Sequence, residues 1–314
     1  MKTIHLTSEL PDSEVSKLAG HTLDDSYYDF LVGDEDTDVF KPNGDPLIKY
    51  RRGVLTKEQC ATAYENLHEA AKPSKNRGLA AGIPSVEDIA ALNAKTKTMT
   101  YIPIRQGERV NMRAIKADGS LSKTLYAKIV ASGLVGFFDR DPRFPYCRLT
   151  AFTLNEPDKF NAALPLIRKI DEVFKACLPE RYAAQMERVL ATDPNFFISG
   201  TVFTTITVNM NFRTAVHKDV GDLKEGFGVM CAIRLGKYTG GYLVFPKYRV
   251  AVNMQTSDVC LADVHEWHGN TQIVGKRYKR MSLVLYYREG MTECHSPQAE
   301  LDRVKRLDRK GVSR

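Results

Sequence analysis

After residue 200 the chain turns into a series of short apolar runs divided by turn residues, and few folds accept that pattern. The runs cover residues 202–208, 228–235, 241–245, 250–253, 258–261 and 281–287. Between them stand Gly221-Asp222, Lys237-Tyr238-Thr239-Gly240-Gly241 and Thr256-Ser257. Many short strands at close spacing make a sandwich or a barrel. Upstream the period changes. Phe160, Leu164, Ile167, Ile170 and Phe174 recur every three or four residues, one apolar helix face between Asp158 and Cys177. Pro165 inside it predicts a kink or an early break. Pro179 suits the first turn of a second helix ending near Leu190. Thr56-Lys57-Glu58-Gln59 has the form of a capping box, and a helix should follow to about Ala71, stopped by Pro73 and Gly78. Ser85-Val86-Glu87-Asp88 is expected to open another short helix. Tyr101–Ile104 and Leu134–Phe138 read as strands. The sum is an α+β chain: a double-stranded β-helix, the jelly roll of cupin-like proteins, with helices packed on one side.

Four regions are expected along it. Residues 1–70 form an N-terminal extension packed on the core, its first 50 residues irregular loops. Residues 71–200 supply strands and support helices. Residues 201–290 are the jelly-roll core, and 291–314 a basic tail. Apolar residues make up 43% of the chain, enough for a real core. The longest apolar run is too short to cross a bilayer, and the N-terminus turns polar at Ser8, Glu9 and Asp12, unlike a signal peptide. A soluble intracellular protein is expected, in the host cytoplasm if viral and the nucleus if eukaryotic. Six scattered cysteines without a Cys-x-x-Cys pair argue against a zinc ribbon or disulfide framework and for reduced thiols. The net charge of +7 allows a polyanionic partner but does not require one.

The chemistry lies in Asn209-Met210-Asn211-Phe212-Arg213-Thr214-Ala215-Val216-His217-Lys218-Asp219. On an extended chain residues i and i+2 point the same way, so His217 and Asp219 can reach one metal. A distant third histidine would complete two imidazoles and one carboxylate on one face of the ion, leaving positions open for a keto-acid and O2, as suits non-haem Fe(II). Zinc also accepts this ligand set. Asp263-Val264-His265-Glu266-Trp267-His268 offers two candidates. An arginine on a later strand would pair with the distal carboxylate of 2-oxoglutarate through its planar fork. Arg280 follows His268 by twelve residues, and Arg277 follows His265 by twelve. Spacing leaves this open. Arg280 leads straight into Met281-Ser282-Leu283-Val284-Leu285, with Ser282 on its own face, whereas Arg277 is followed by the polar Tyr278-Lys279-Arg280. The metal ligands are therefore taken as His217, Asp219 and His268, and the 2-oxoglutarate residues as Arg280 and Ser282. That arginine and serine tilt the metal to iron.

With these residues the chain resembles the TET/JBP family of Fe(II)- and 2-oxoglutarate-dependent dioxygenases, which oxidise the 5-methyl group of pyrimidines in nucleic acid. The likeness runs through Phe203–Asn209, His217-x-Asp219, Gly221-Asp222, Gly240-Gly241-Tyr242-Leu243-Val244-Phe245-Pro246, the His268 turn and Arg280-x-Ser282. Upstream, Asn76-Arg77-Gly78, Gly136-Phe137-Phe138-Asp139-Arg140 and Cys147-Arg148-Leu149-Thr150 resemble the JBP-type branch and its viral relatives. The resemblance implies a jelly roll, Fe(II), 2-oxoglutarate and O2, with Asn209 near the other end of the keto-acid. It departs from the animal branch at two base-contacting positions: Asp222 stands where that branch has Asn, and Arg288 where it has His. The Cys-rich zinc-binding region of the animal proteins is absent from the sequence.

A methyl group on a stacked base cannot reach a buried metal, so the expected partner is double-stranded DNA with the target base flipped out. Arg77, Lys75, Arg213 and Lys218 are candidates to hold phosphates, and Asp222 and Arg288 to face the base. The expected reaction is 5-methylcytosine to 5-hydroxymethylcytosine first, and thymine to 5-hydroxymethyluracil second. Two alternatives stand: a hydroxylase of a protein or small molecule, and a non-catalytic DNA-binding protein on an oxygenase scaffold. Neither a membrane nor an obligate protein partner is expected.

Overall fold

In the computed structural model, residues 1–83, 90, 93–94, 99–106, 109–116, 118–126 and 128–309 are described. The strands run β1 (Lys2–His5), β2 (Phe30–Val32), β3 (Thr37–Phe40), β4 (Pro46–Arg51), β5 (Pro73–Ser74), β6 (Met99–Gln106), β7 (Arg109–Lys116), β8 (Leu121–Tyr126), β9 (Val130–Phe138) and β10 (Arg148–Leu149). They continue as β11 (Thr205–Met210), β12 (Gly228–Leu235), β13 (Tyr238–Gly240), β14 (Leu243–Phe245), β15 (Val250–Val252), β16 (Val259–Ala262), β17 (Gly269–Asn270), β18 (Ile273–Gly275) and β19 (Lys279–Tyr286). The longer helices are α1 (Lys57–Leu67), α2 (Pro157–Cys177), α3 (Pro179–Leu190) and α4 (Pro297–Arg309). Ser85–Asp88, where a short helix was expected, lies outside the described residues.

The main sheet has ten strands, in the order β1-β3-β4-β16-β12-β19-β11-β9-β10 with β5 also on β9. A smaller sheet, β17-β14-β15-β2, faces it. The period of two sorts the side chains of the main sheet between its faces. Val229, Cys231 and Ile233 of β12, Ile206 and Val208 of β11, and Met281, Leu283 and Leu285 of β19 pack with Leu166, Ile167, Ile170 and Phe174 of α2. The alternate residues Met230 and Ala232 pack with Leu243, Phe245, Val250 and Val252 of the smaller sheet. Helices thus cover one face and the second sheet the other, which is the α+β jelly roll expected. The turn after β13 needs its glycine: Gly240 has φ +75°, and a Cβ there would sit 1.8 Å from the Gln272 carbonyl oxygen.

Several local expectations change. The first 50 residues are not loops over the core. They supply β1, β3 and β4 to the main sheet and β2 to the smaller one. Polar residues masked these strands: Asp38 is buried because Lys49 and Arg51 both pair with it at 2.7 Å. Pro165 does not end α2, which runs unbroken to Cys177. Pro165 and Asn161, whose carbonyl loses its partner, are both exposed, so that carbonyl is open to solvent. The capping box forms as expected, with Thr56 Oγ1 accepting from Gln59 N and Thr56 N donating to Gln59 Oε1. The cysteines are not all reduced. Cys147 and Cys294 form a disulfide across 147 residues of sequence, a pairing that local spacing cannot reveal. Nor is the C-terminal segment only a basic tail. Within α4, Glu300 is 3% exposed and accepts hydrogen bonds from Arg140, Cys147 N and His295 N. Among the described residues no helix is long and apolar enough to cross a membrane.

Candidate iron and 2-oxoglutarate site

His217 and His268 meet through their own backbones. His217 N donates to His268 O at 2.9 Å and His268 N to His217 O at 3.0 Å. This bridge holds residues 51 apart in sequence side by side, with ring centroids 4.4 Å apart. Each Nδ1 lies against a carbonyl oxygen, Ala215 O at 2.8 Å and Glu266 O at 2.9 Å. A carbonyl only accepts, so each Nδ1 carries the hydrogen and each Nε2 presents a lone pair. Both lone pairs face Asp219: His217 Nε2 is 3.3 Å from Oδ1 and His268 Nε2 is 4.0 Å from Oδ2. The three ligating atoms lie within 4.8 Å of one another. Burial pushes the His268 ring down to about 4, and His217 beside it adds to the shift. With no metal bound, a proton on His217 Nε2 would be shared with Asp219: burial disfavours a charged Asp219, but that hydrogen bond and both rings hold its carboxyl below the usual range. Burial disfavours a charged His217 ring, but the Asp219 carboxylate beside it pushes its pKa up, so a divalent cation would displace that proton to take two imidazole Nε2 atoms and a carboxylate on one face.

His265 points elsewhere. Its Nδ1 is 3.2 Å from Asp263 Oδ1, within a group in which Lys41 Nζ contacts Asp263 at 2.7 Å and Glu266 at 2.8 Å. Tyr248 Oη donates to the same Glu266 at 2.8 Å. This network braces the turn that carries His268, and neither Lys41 nor Tyr248 was marked in the sequence. The two arginines separate as cleanly. Arg277 is exposed in a turn with φ +53°. Arg280 is 5% exposed and lines the same cavity as the three ligands. No carboxylate pairs with Arg280 among the described residues. Burial lowers its pKa, Arg234 nearby adds to this, and Tyr238 opposes it. A buried guanidinium in this state suits a ligand carboxylate. Ser282 shares its face, and register sets Asn209 of β11 directly opposite Ser282. Asn209 Oδ1 accepts from Ser132 Oγ of β9, a partner without a sequence signal.

The residues expected to touch DNA divide. Asp222 and Arg288 come together as a backbone bridge at the cavity wall. Burial and the Asp219 carboxylate push the Asp222 carboxyl well up, against Arg288 and His265. Arg288 is held by Asp139 Oδ1 at 2.8 Å and lies 5.5 Å from the Phe138 ring centroid. Arg77 is partly buried and lines the cavity. Its Nη2 donates to Gly133 O at 3.1 Å, and its buried Nε has no partner. Arg213 is an internal strut that donates to Leu23 O and Asn270 O. Arg213 was chosen for charge alone, and charge does not report burial. Lys218 lies 5.0 Å from the Trp267 ring centroid and lines the cavity, while Lys75 is exposed.

The three ligands, Arg280, Ser282, Asn209, Asp222, Arg288, Arg77 and Lys218 line one cavity of about 1740 Å³. It runs from Arg280 and Ser282 past the three ligands to a rim of Phe138, Phe144, Arg143 and Arg148. Arg148 stacks on Phe144 at 4.3 Å and pairs with Asp141 at 2.8 Å. That is more room than a small keto-acid needs.

A jelly roll with two histidines and a carboxylate converging beside a buried arginine defines an Fe(II)- and 2-oxoglutarate-dependent oxygenase, whose co-substrate is O2. More narrowly, the chain belongs to the Tet/JBP family: the model of that oxygenase domain of the 2OGFeDO superfamily matches residues 133–289. Over 185 residues it is 38% identical to the thymine dioxygenase JBP1 of Trypanosoma brucei brucei, covering 56% of this chain and 22% of that one. Over 203 residues it is 35% identical to the bifunctional helicase and thymine dioxygenase JBP2 of Leishmania tarentolae, covering 63% and 17%. The chain therefore spans about a fifth of the length of these relatives. Among solved structures, NgTET1 in complex with 5mC DNA superposes with a TM-score of 0.53 at 12% identity, over 95% of this chain and 100% of that one, a likeness of fold.

Proposed function

We propose that this protein oxidises the 5-methyl group of a pyrimidine in double-stranded DNA, acting on a base flipped out of the stack. The observation that carries the reading is the cavity: one end holds a buried arginine and serine, the middle three metal-ligating side chains, and the far wall polar groups beyond what a keto-acid uses. Arg280 and Ser282 would bind the distal carboxylate of 2-oxoglutarate, with Asn209 beside it. His217, Asp219 and His268 would hold iron, which with 2-oxoglutarate and O2 supplies an oxidation strong enough for an unactivated methyl group. Asp222 would accept a hydrogen bond from the edge of the base, and Arg288, fixed by Asp139, would close the wall behind it.

Between the two bases thymine comes first, the reverse of the order expected from the sequence. The support is the name thymine dioxygenase borne by relatives 35–38% identical to this chain. The test is mass spectrometry of nucleosides after incubating the protein, Fe(II) and 2-oxoglutarate with a duplex containing thymine and 5-methylcytosine. 5-Hydroxymethyluracil is the expected product. 5-Hydroxymethylcytosine alone would restore the other order. No oxidised pyrimidine, with succinate released on a peptide panel, would sink the reading.

A further inference from the structure

Arg280 has a second cation beside it. In the pairing of β12 with β19, Arg234 stands directly opposite Arg280. Residues opposite each other in antiparallel strands share a face, and like charges placed so repel. Arg234 is satisfied where it is: it donates to Asn253 Oδ1 at 2.9 Å, Tyr238 O at 3.0 Å and Met254 O at 3.2 Å. Arg280 lines the cavity, and no carboxylate meets it or Arg234 among the described residues. Two cations on one face, with no anion from the chain, make a place for an anion brought by a ligand.

Tyr238 of β13 bears on both cations. The Arg234 guanidinium lies 4.1 Å from its ring centroid, and the Tyr278 ring centroid 5.0 Å from it. Gly275 of β18 stands opposite Tyr238, and a Cβ there would come within 2.7 Å of the Tyr238 Cβ. Packed in this way, Tyr238 is buried, and its Oη has no hydrogen-bond partner among the described residues. Burial pushes that hydroxyl's pKa up, while the Arg280 and Arg234 guanidiniums pull it down, so Arg280 lies close by without a well-aligned bond to Oη. A buried hydroxyl left unpaired costs stability, and nothing in the unliganded fold uses it. A ligand carboxylate changes that. It engages two of the five N–H groups of Arg280 and fixes the guanidinium, which leaves another N–H for the Tyr238 oxygen.

We infer that Tyr238 is a positioning residue for the co-substrate: its hydroxyl accepts an N–H of Arg280 once a carboxylate is bound on the cavity side, and Arg234 holds the tyrosine ring in place for it. The inference rests on the proposed function for Arg280 as the residue that binds the distal carboxylate of 2-oxoglutarate. Tyr238→Phe keeps the ring and its packing and removes only a group that the unliganded protein leaves unpaired.

The test is calorimetric titration of 2-oxoglutarate into the full chain loaded with Mn(II), so that binding is read without turnover. Y238F should weaken 2-oxoglutarate binding about tenfold, the loss of one hydrogen bond to a charged group. 2-Oxobutanoate, a keto-acid without the distal carboxylate, should bind wild type and Y238F alike. The thermal melt of the unliganded variant should be no lower than that of wild type, because the hydroxyl it loses was unpaired. Unchanged 2-oxoglutarate binding in Y238F overturns the inference. So does equal weakening of both keto-acids, which would mark general damage to the site. A lower melt without ligand would show the hydroxyl already paired in the empty site and overturns it too. R280A is measured beside it. If R280A loses 2-oxoglutarate binding and Y238F does not, only the role of Tyr238 falls. If R280A binds 2-oxoglutarate normally, the assignment of Arg280 falls and the role of Tyr238 falls with it.

Discussion

The deep end of the cavity and its rim are built by different means. At the deep end each side chain stands on a strand of the main sheet or on the His217–His268 bridge, and its direction follows from alternation and register. At the rim Phe138 and Arg148 stand at strand ends with Arg143 and Phe144 on the loop between them, and the segments around them are held by pairs distant in sequence: Asp139 with Arg288, Arg140 with Glu300, Cys147 with Cys294. The contrast says which residues should be intolerant and which adjustable. A ligand on a register-locked strand cannot be replaced by a neighbour. A rim residue acts through partners that can partly take over.

The largest effect is expected at the metal ligands. Asp219→Ala should bring succinate release and methyl oxidation to background, with a thermal melt close to wild type because Asp219 is half-buried and braces no core residue. Normal product from this variant would remove the metal assignment. Next comes Arg280→Ala, which should raise the KM for 2-oxoglutarate about 100-fold, the loss of a charge-assisted bidentate pair. Arg277→Ala should leave it within about twofold, since Arg277 is exposed and outside the cavity lining. The opposite ranking would place the co-substrate on the His265 register. At the rim, Arg288→Gln should lower kcat/KM for methylated duplex about tenfold while the KM for 2-oxoglutarate stays within about twofold. If both constants moved together, the two ends of the cavity would be one site and the comparison would break.

The same contrast explains what the sequence could tell. Arg280 and Ser282 were legible because one period of two put the arginine and serine on a face, and the strand that Arg280 opens is strongly apolar; Asn209 came only from the family resemblance. His268 over His265 was legible for the same reason. Arg213 was read as solvated because a cation in a polar segment looks the same whether it lies on the surface or turns inward to backbone carbonyls. Ser132 and Lys41 carried no signal at all: each acquires its place from a partner at least 75 residues away. The disulfide was missed on the same ground.

The N-terminal strands offer the smallest effect and a check on how the main sheet is supported. Asp38 of β3 bonds Lys49 and Arg51 of β4, two strands from the β12–β19 pair that carries the deep end. Burial disfavours its charge, but the two cations outweigh that and hold its carboxyl below the usual carboxylate range. A carboxyl depressed in the folded state stabilises above its unfolded value near 3.9, and that contribution disappears as pH falls through the folded value. Asp38→Asn should therefore cost about 3 kcal/mol at pH 7, since it leaves two cations with a neutral partner, and the gap to wild type should narrow below about pH 4. Urea melts at pH 7 and pH 3 read both. Turnover of the folded variant at pH 7 should stay within about twofold of wild type, because the ligands are fixed by the His217–His268 bridge and not by the edge of the sheet. A gap that persisted at pH 3 would mean that Asp38 acts through packing and not through its charge. Lost turnover without lost stability would mean that the N-terminal strands set the geometry of the site, and the deep end would then be less self-contained than its register makes it.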